Sequence, residues 1–286
     1  MEPFEVFEPS AGESPLVVEV PHAGLWLDAE SLARTIAPAR CIGRDADLHV
    51  DQLFQDAPSE GATLLVARAS RYLVDLNRGE NDFDGEAVEG GGRGPWARGL
   101  IWRLSTDGDP VLAERLSRRE LERRLDLVYR PYHRTLTALL ARKVERFGVA
   151  VLLCAHSMPT PPGRPGLSEL GMPRADLVPG TRGRTSAAGV VIDRVDAHAR
   201  RQGWTVRHDD PYRGGFSTGH YGKPALGVHA VQIEIARRRY MDEPSLRIDP
   251  HGFAGVREFA RTLAARLAFA EPDAPLRPLG REAPRS

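Results

Sequence analysis

The sequence predicts an α/β fold with a mixed, mostly parallel central sheet flanked by helices. Short apolar segments typical of buried strands alternate with helix-like segments in the first third of the chain, as in βαβ units. The segment Val149 to Cys154 is apolar almost throughout, which is typical of a central strand covered on both faces. With 286 residues and 41% hydrophobic content the chain can bury a substantial core, and we expect a single α/β domain over residues 1–270.

Each predicted element follows from its local pattern. Apolar or β-rich runs predict strands at residues 16–20, 63–68, 72–76, 149–154, 204–208 and 230–236. Apolar residues at helical spacing predict helices at residues 48–54, 117–147, 186–202 and 255–269. Pro131 lies inside the second helix, where it lacks an amide hydrogen and clashes with the preceding turn. We therefore expect a kink or a break there.

Two long segments have little periodicity and are predicted to be loop insertions. The first lies near residues 79–105, and its glycine-rich stretch Gly85–Gly99, with the triple glycine at Gly90–Gly92, is predicted to form a surface loop or lid. The second, near residues 159–185, is rich in proline and lies next to the candidate site. Residues 271–286 are also proline-rich, and we expect a disordered tail.

The composition argues against several classes of protein. Because 39 Lys and Arg balance 39 Asp and Glu, no net charge favours nucleic acid or an anionic membrane. The two cysteines, Cys41 and Cys154, form no CxxC pair, which argues against a disulfide scaffold or a zinc ribbon. We find neither a signal-peptide pattern nor an apolar run near the roughly 20 residues of a membrane span. These features predict a cytoplasmic protein, and they leave its oligomeric state open.

Two histidines at strand ends are candidate ligands of a divalent metal, for which zinc is the first choice. His22 follows the strand at 16–20 and His156 follows the strand at 149–154, and ligands gather at the carboxyl ends of strands in open α/β sheets. A catalytic zinc takes three protein ligands from histidines and carboxylates and leaves a position for water. We predict Asp47 as the third ligand. The acidic cluster leaves three alternatives, which are Asp45, His49 and Asp51.

Glu234 is the candidate general base. Alternation along its strand places Val231, Ile233 and Ile235 on one face, with Gln232 and Glu234 on the other. A buried carboxylate needs a partner, and a raised pKa would suit a group that accepts a proton from water and later protonates a leaving amine. The alternative is a structural ion pair with one of the arginines at residues 237–239.

Four polar residues are predicted to contact an acidic substrate. Asn77 and Arg78 follow a predicted strand, and guanidinium groups bind carboxylates through paired hydrogen bonds. Arg71 can stabilise an oxyanion beside the metal, and we assign it a catalytic role. Arg213, in a glycine-containing loop, is predicted to supply a further anion contact.

An ordered set of short motifs resembles the N-formylglutamate amidohydrolase family. The matching segments are Pro21-His22-Ala23-Gly24, Asp47-Leu48-His49-Val50-Asp51-Gln52-Leu53-Phe54, Val74-Asp75-Leu76-Asn77-Arg78, Pro131-Tyr132-His133, His156-Ser157-Met158-Pro159, Pro211-Tyr212-Arg213-Gly214-Gly215, Gln232-Ile233-Glu234-Ile235 and Tyr240-Met241-Asp242-Glu243. Each fragment alone is a weak signal, but together they cover most of the chain in the expected order.

The resemblance implies hydrolysis of a small acidic N-acyl amino acid, N-formyl-L-glutamate in the best-known case, as the last step of one histidine degradation route. It also implies a three-layer fold similar to that of zinc carboxypeptidases and aspartoacylase. The family's metal-binding histidines and base would be His22, His156 and Glu234, and its substrate-binding pair would be Asn77 and Arg78.

Two positions depart from the family pattern. Cys154 stands where the family usually has an acidic residue, which implies the loss of a carboxylate that orients a metal ligand. Ala23 stands where the family often has serine. Two other functions therefore stay open: a metal-dependent deacylase or carboxypeptidase for a different N-acyl amino acid, and a protein that binds acidic amino acids without catalysis.

Overall fold

The computed structural model describes residues 2–10, 12–92, 94, 97–160 and 174–268. Its main feature is a six-stranded sheet with the strand order β1-β3-β2-β4-β6-β5. The strands are β1 Phe4–Phe7, β2 Leu16–Val20, β3 Thr63–Ala67, β4 Ala150–Met158, β5 Leu177–Gly180 and β6 Val228–Ala236. The four inner strands are parallel, and the edge strands β1 and β5 are antiparallel to their neighbours. The mixed, mostly parallel sheet of the predicted α/β fold is confirmed.

Helices cover both faces of this sheet. They are α1 Ala29–Arg34, α2 Ala39–Asp45, α3 Val50–Leu53, α4 Arg118–Arg124, α5 Arg130–Phe147, α6 Gly189–Arg201, α7 Phe216–Tyr221 and α8 Pro250–Ala268, and a short hairpin joins β7 Met241–Asp242 to β8 Arg247–Ile248. One apolar core lies between the sheet and α3, α6 and α8, and a second lies beneath α4 and α5. No described helix is both long enough and apolar enough to cross a bilayer.

The predicted kink or break at Pro131 takes the form of an irregular turn, since residues 118–147 stay helical on both sides of it. A single π-helical turn, Leu125–Tyr129, separates α4 from α5, and Pro131, which has no amide hydrogen to donate, lies in the first turn of α5 directly after it. Ser117 begins α4 by accepting a hydrogen bond from the backbone N–H of Glu120 at 3.2 Å.

Two predicted strands are wrong. Residues 72–76 form turns, although their apolar side chains are buried in the second core. A side chain, and not a neighbouring strand, supplies hydrogen bonds to this backbone. The fully buried Arg124 donates to the carbonyls of Leu73 (3.0 Å) and Tyr72 (3.4 Å). Residues 204–208 make a single parallel bridge, between Val206 and Leu177.

The first predicted insertion lies partly in the protein interior. Residues 79–105 form turns and single bridges where they are described, as their glycine content predicts. However, Ala87 and Val88, inside the stretch Gly85–Gly99, are buried in the second core together with Leu100, Ile101 and Trp102, so the expectation of a purely surface loop or lid is wrong. In the second insertion, residues 161–173 lie outside the described residues, and β5 falls within the remainder. The predicted tail at 271–286 also lies outside them.

We expect Arg124 to be essential to this packing. Its guanidinium forms a buried ion pair with Glu120 at 2.8 Å in addition to the two carbonyl contacts. Replacing it by methionine, Arg124→Met, leaves both carbonyls without their donor and Glu120 with Arg123 as its remaining partner, and should lower the free energy of unfolding by about 1–3 kcal/mol. Urea denaturation would measure the loss. The neighbouring exposed Arg119 is the control, and Arg119→Met should change stability by less than about 0.5 kcal/mol; an equal loss in both variants would contradict the assignment.

Candidate active site

The three predicted metal ligands converge at the carboxyl ends of the parallel strands. His22 follows β2, His156 lies near the end of the neighbouring β4, and Asp47 follows α2. The backbone N–H of Asp47 donates to the carbonyl of His22 at 2.9 Å, which brings the loop after α2 to the sheet. One ligand atom from each residue lies within 4.8 Å of the others, and all three side chains are buried. Nitrogen and carboxylate donors in this number suit zinc.

Asp47 lies between the rings of the two histidines and two hydrogen-bond donors, Ser157 and Arg237. Its Oδ2 lies 3.0 Å from Nδ1 of His156 and 3.5 Å from Nδ1 of His22, while its Oδ1 accepts from Ser157 Oγ (2.9 Å) and Arg237 Nη2 (3.2 Å). Burial alone would raise the pKa of Asp47, but the contacts with His156 and His22 hold it well below the usual range. The carboxylate is therefore ionised, as a metal ligand must be.

The alternative third ligands are occupied elsewhere. Asp45 accepts hydrogen bonds from the hydroxyl of Tyr72 (2.5 Å) and the backbone N–H of Thr106 (3.0 Å). Asp51 pairs with Arg68 at 2.8 Å, and the ring of His49 lies 3.4 Å from the carbonyl of Leu246. These contacts favour Asp47.

A buried carboxylate, Asp75, orients the first histidine. Nε2 of His22 donates to Oδ1 of Asp75 at 2.8 Å, which fixes the tautomer that leaves a lone pair on Nδ1. That Nδ1 atom is buried and has no hydrogen-bond partner in the described part of the chain. An unpartnered lone pair that faces a carboxylate and a second imidazole fits a metal site.

Asp75 also holds Arg71 and the first insertion. Arg71 Nη2 donates to Oδ2 of Asp75 at 2.7 Å, and Trp102 Nε1 donates to the same oxygen at 2.9 Å. The Arg71 guanidinium lies 4.3 Å from the centre of the Trp102 ring, and its Nη1 donates to the carbonyl of Asp45 at 3.2 Å. Burial would raise the pKa of Asp75, but Arg71 and His22 hold it well below its usual range.

Glu234 lies on β6 directly beside His156 of β4 in the sheet register. Burial raises its pKa to about 7. Its hydrogen-bond partner is Gln232, whose Nε2 donates to Oε1 at 2.8 Å. The alternative of a structural ion pair is absent among the described residues, since Arg237 pairs with Asp47, and both Arg238 and Arg239 pair with Asp176.

The predicted substrate-binding residues lie beside these groups. Asn77 Nδ2 lies 3.3 Å from Nε2 of His156 and donates to Oε1 of Gln232 at 3.1 Å. Within the described part of the chain, Arg78 donates only to backbone carbonyls, those of Arg98 and Asn77. In the described residues neither Arg78 nor Arg213 has a carboxylate within the 4.0 Å of an ion pair, so both guanidinium groups can bind an anion.

A single cavity of about 1870 Å³ contains all of the predicted site residues in its wall. They are His22, Asp47, Arg71, Asn77, Arg78, His156, Arg213 and Glu234. The cavity therefore combines three potential metal ligands, a carboxylate of raised pKa and cations without ion-pair partners. Together these groups can polarise an amide and bind an acidic molecule beside it.

The substitution at Cys154 does not leave the site without orienting groups. His22 is oriented by Asp75, and His156 lies between Asp47 and Asn77. Cys154 lies opposite Glu19 of β2, and burial raises the pKa of both side chains.

Sequence reasoning missed two connecting side chains. Gln232 links Asn77, Glu234 and the backbone N–H of Gly215, to which its Oε1 lies 2.9 Å away. Its place two residues before Glu234, on the same face of the strand, was a usable signal. Arg237 holds Asp47 directly and through Ser157, and no local pattern in the sequence distinguishes it from its two arginine neighbours.

Comparison with known proteins agrees with this geometry. The family model of N-formylglutamate amidohydrolase matches residues 14–241. The chain is 35% identical over 235 residues to N-formylglutamate deformylase of Pseudomonas putida, covering 81% of this chain and 84% of that protein. It is also 35% identical over 242 residues to N-formylglutamate deformylase of Pseudomonas aeruginosa, covering 84% and 86%.

Solved structures give the same result. The crystal structure of N-formylglutamate amidohydrolase from Ralstonia eutropha JMP134 superposes with a TM-score of 0.84 at 32% identity, covering 94% of this chain and 98% of that one. A gene product of Agrobacterium tumefaciens, 19% identical with a TM-score of 0.63 over 93% and 95% of the two chains, shares the fold. The chain belongs to the N-formylglutamate amidohydrolase family.

Proposed function

We propose that this protein hydrolyses the amide bond of N-formyl-L-glutamate to formate and L-glutamate with the help of a divalent metal, zinc. The observation that carries the proposal is the convergence of His22, Asp47 and His156 with the buried Glu234 in one cavity. Relatives that carry the name N-formylglutamate deformylase support the choice of substrate. The proposal includes a cytoplasmic location and a role in histidine degradation, which rest on the sequence and the family resemblance.

His22, Asp47 and His156 would hold the zinc. A zinc ion in such a site polarises a carbonyl group and lowers the pKa of a bound water to roughly 7. Asp75 positions His22, while Arg237 and Ser157 hold Asp47 from the side opposite the histidines. The chain thus supplies both the ligands and the residues that fix their orientation.

Glu234 would transfer the proton. With a pKa near 7, its carboxylate accepts a proton from the attacking water and then delivers that proton to the leaving amino group of glutamate. The hydrogen bond from Gln232 fixes which oxygen of Glu234 stays free for this transfer.

The arginines would neutralise the charges of the substrate and of the transition state. Arg71 is held by Asp75 and by the carbonyl of Asp45, so its positive charge is fixed at the cavity wall, where an oxyanion develops. Asn77, Arg78 and Arg213 would bind the amino-acid part. The guanidinium groups of Arg78 and Arg213, free of ion pairs within the described residues, match a substrate that carries two carboxylates.

Formate release from N-formyl-L-glutamate should depend on zinc. A chelator should abolish turnover by the purified protein, and added zinc should restore it. His22→Ala and His156→Ala should lose zinc binding in calorimetry together with activity. Activity that persists in metal-free protein would contradict the metal assignment, whereas zinc binding without turnover of N-formylglutamate, N-formylaspartate or N-acetylaspartate would favour a protein that only binds acidic amino acids.

Removing the base should separate catalysis from metal binding. Glu234→Gln preserves the shape of the side chain but cannot accept the proton, so kcat should fall by about 10²–10⁴-fold while the affinity for zinc is retained. The matched control is Glu243→Gln, which changes a cavity carboxylate that contacts Thr160. Turnover by Glu234→Gln equal to that of the control would disprove the base assignment.

The hydrogen bond from Gln232 should set the pH dependence. It stabilises the ionised form of Glu234, so Gln232→Met should raise the pKa of Glu234 above its value of about 7. Because the base acts in its ionised form, the acidic limb of the kcat/KM profile should move to higher pH. An unchanged profile would show that Gln232 has only a packing role.

A further inference from the structure

A second cavity adjoins the active site. It has a volume of about 720 Å³ and shares four lining residues with the catalytic cavity, which are Asn77, Arg78, Arg98 and Gly215. Its remaining wall includes Arg182, Asp82, Phe216 and His220. We call it the arginine recess, after Arg78, Arg98 and Arg182. Asn77, which lies 3.3 Å from the ring of His156, joins it to the site of the metal ligands.

The recess is positively charged. Three guanidinium groups line it, and in the described residues none of them has a carboxylate within ion-pair distance. The single carboxylate, that of Asp82, accepts the backbone N–H of Gly79 at 2.7 Å. In contrast, two arginines beside the metal ligands, Arg71 and Arg237, are paired with Asp75 and Asp47. Unpaired cations in a cavity wall favour an anionic ligand.

Two glycines, Gly215 and Gly219, allow the side chains of Asn77 and Arg182 to pack closely in the wall of the arginine recess. A Cβ atom at Gly219 would lie 3.0 Å from Nε of Arg182, and a Cβ atom at Gly215 would lie 2.4 Å from Nδ2 of Asn77. Arg182 is further held by its backbone N–H, which donates to the carbonyl of Arg213 at 2.9 Å, and by Nη1, which donates to the carbonyl of Gly214 at 3.2 Å. The guanidinium therefore has a defined place, although it is exposed.

We propose that the arginine recess binds the side-chain carboxylate of the acidic amino-acid substrate. The inference rests on the proposed function and adds which residues determine the specificity for an acidic side chain. The α-carboxylate is attached to the carbon next to the amide nitrogen, so it must stay close to the metal ligands. The side-chain carboxylate of glutamate is two carbons further away, and the recess is the anion-binding space beyond Asn77. Arg98 and Arg182 thereby become specificity-determining residues.

The substrate pair N-formylglutamate and N-formylglutamine tests this role, because the two differ only in the side-chain charge. Arg182→Gln should lower the ratio of their kcat/KM values by about tenfold, the equivalent of one charged hydrogen bond. Arg98→Gln should act in the same direction. The matched control is Arg184→Gln: Arg182 and Arg184 are both exposed with positive φ (52° and 63°), but Arg184 pairs with Asp193. An unchanged ratio in Arg182→Gln and Arg98→Gln would overturn the proposal.

Binding of glutarate separates this proposal from the proposed reaction. Glutarate, a dicarboxylate with the carbon chain of glutamate, should bind zinc-loaded protein more tightly than butyrate does in calorimetry. Arg182→Gln should lower the affinity for glutarate about tenfold, and Arg184→Gln should leave it unchanged. If N-formylglutamate is not hydrolysed but glutarate binding depends on Arg182, the reaction is wrong and the recess stands. Glutarate binding that is absent, or equal in both variants, would overturn the recess.

Discussion

The active site depends on the buried carboxylate of Asp75. This group accepts hydrogen bonds from His22, Arg71, Trp102 and the backbone N–H of Asn77. These four donors come from the end of β2, the turn after β3 and the first insertion, so a single carboxylate holds together three separate parts of the chain. A fully buried charge is stable only when it is compensated in this way, and the protein places that compensation directly behind a predicted metal ligand.

A second network leads from the substrate-binding residues to the base. Asn77 Oδ1 accepts the backbone N–H of Ser217 at 3.0 Å, its Nδ2 donates to Gln232, and Gln232 donates to Glu234. The carboxylate of Glu234 is therefore not an isolated charge on an apolar strand. Its position is linked to the residue that is expected to touch the substrate, so binding and proton transfer share one set of hydrogen bonds.

Much of the fold could be predicted from sequence, because buried parallel strands are continuous apolar runs. The segments Leu16–Val20 and Val149–Cys154 became central strands for that reason. Tyr72–Leu76 has the same pattern but forms turns, since burial alone produces an apolar run and the long-range contact with Arg124 replaces a strand ladder. Alternation identified the polar face of β6, whereas the link from Trp102 to Asp75 spans 27 residues of sequence and has no local signal.

We predict that zinc occupies the space between His22, Asp47 and His156. Anomalous diffraction at the zinc absorption edge, from crystals of zinc-loaded protein, tests this most directly. The expected result is one strong peak bonded to an imidazole nitrogen of each histidine and to the carboxylate of Asp47, at about 2.0–2.2 Å. A peak at another group of residues, or none at this site while the protein hydrolyses N-formylglutamate, would contradict this assignment of the metal ligands.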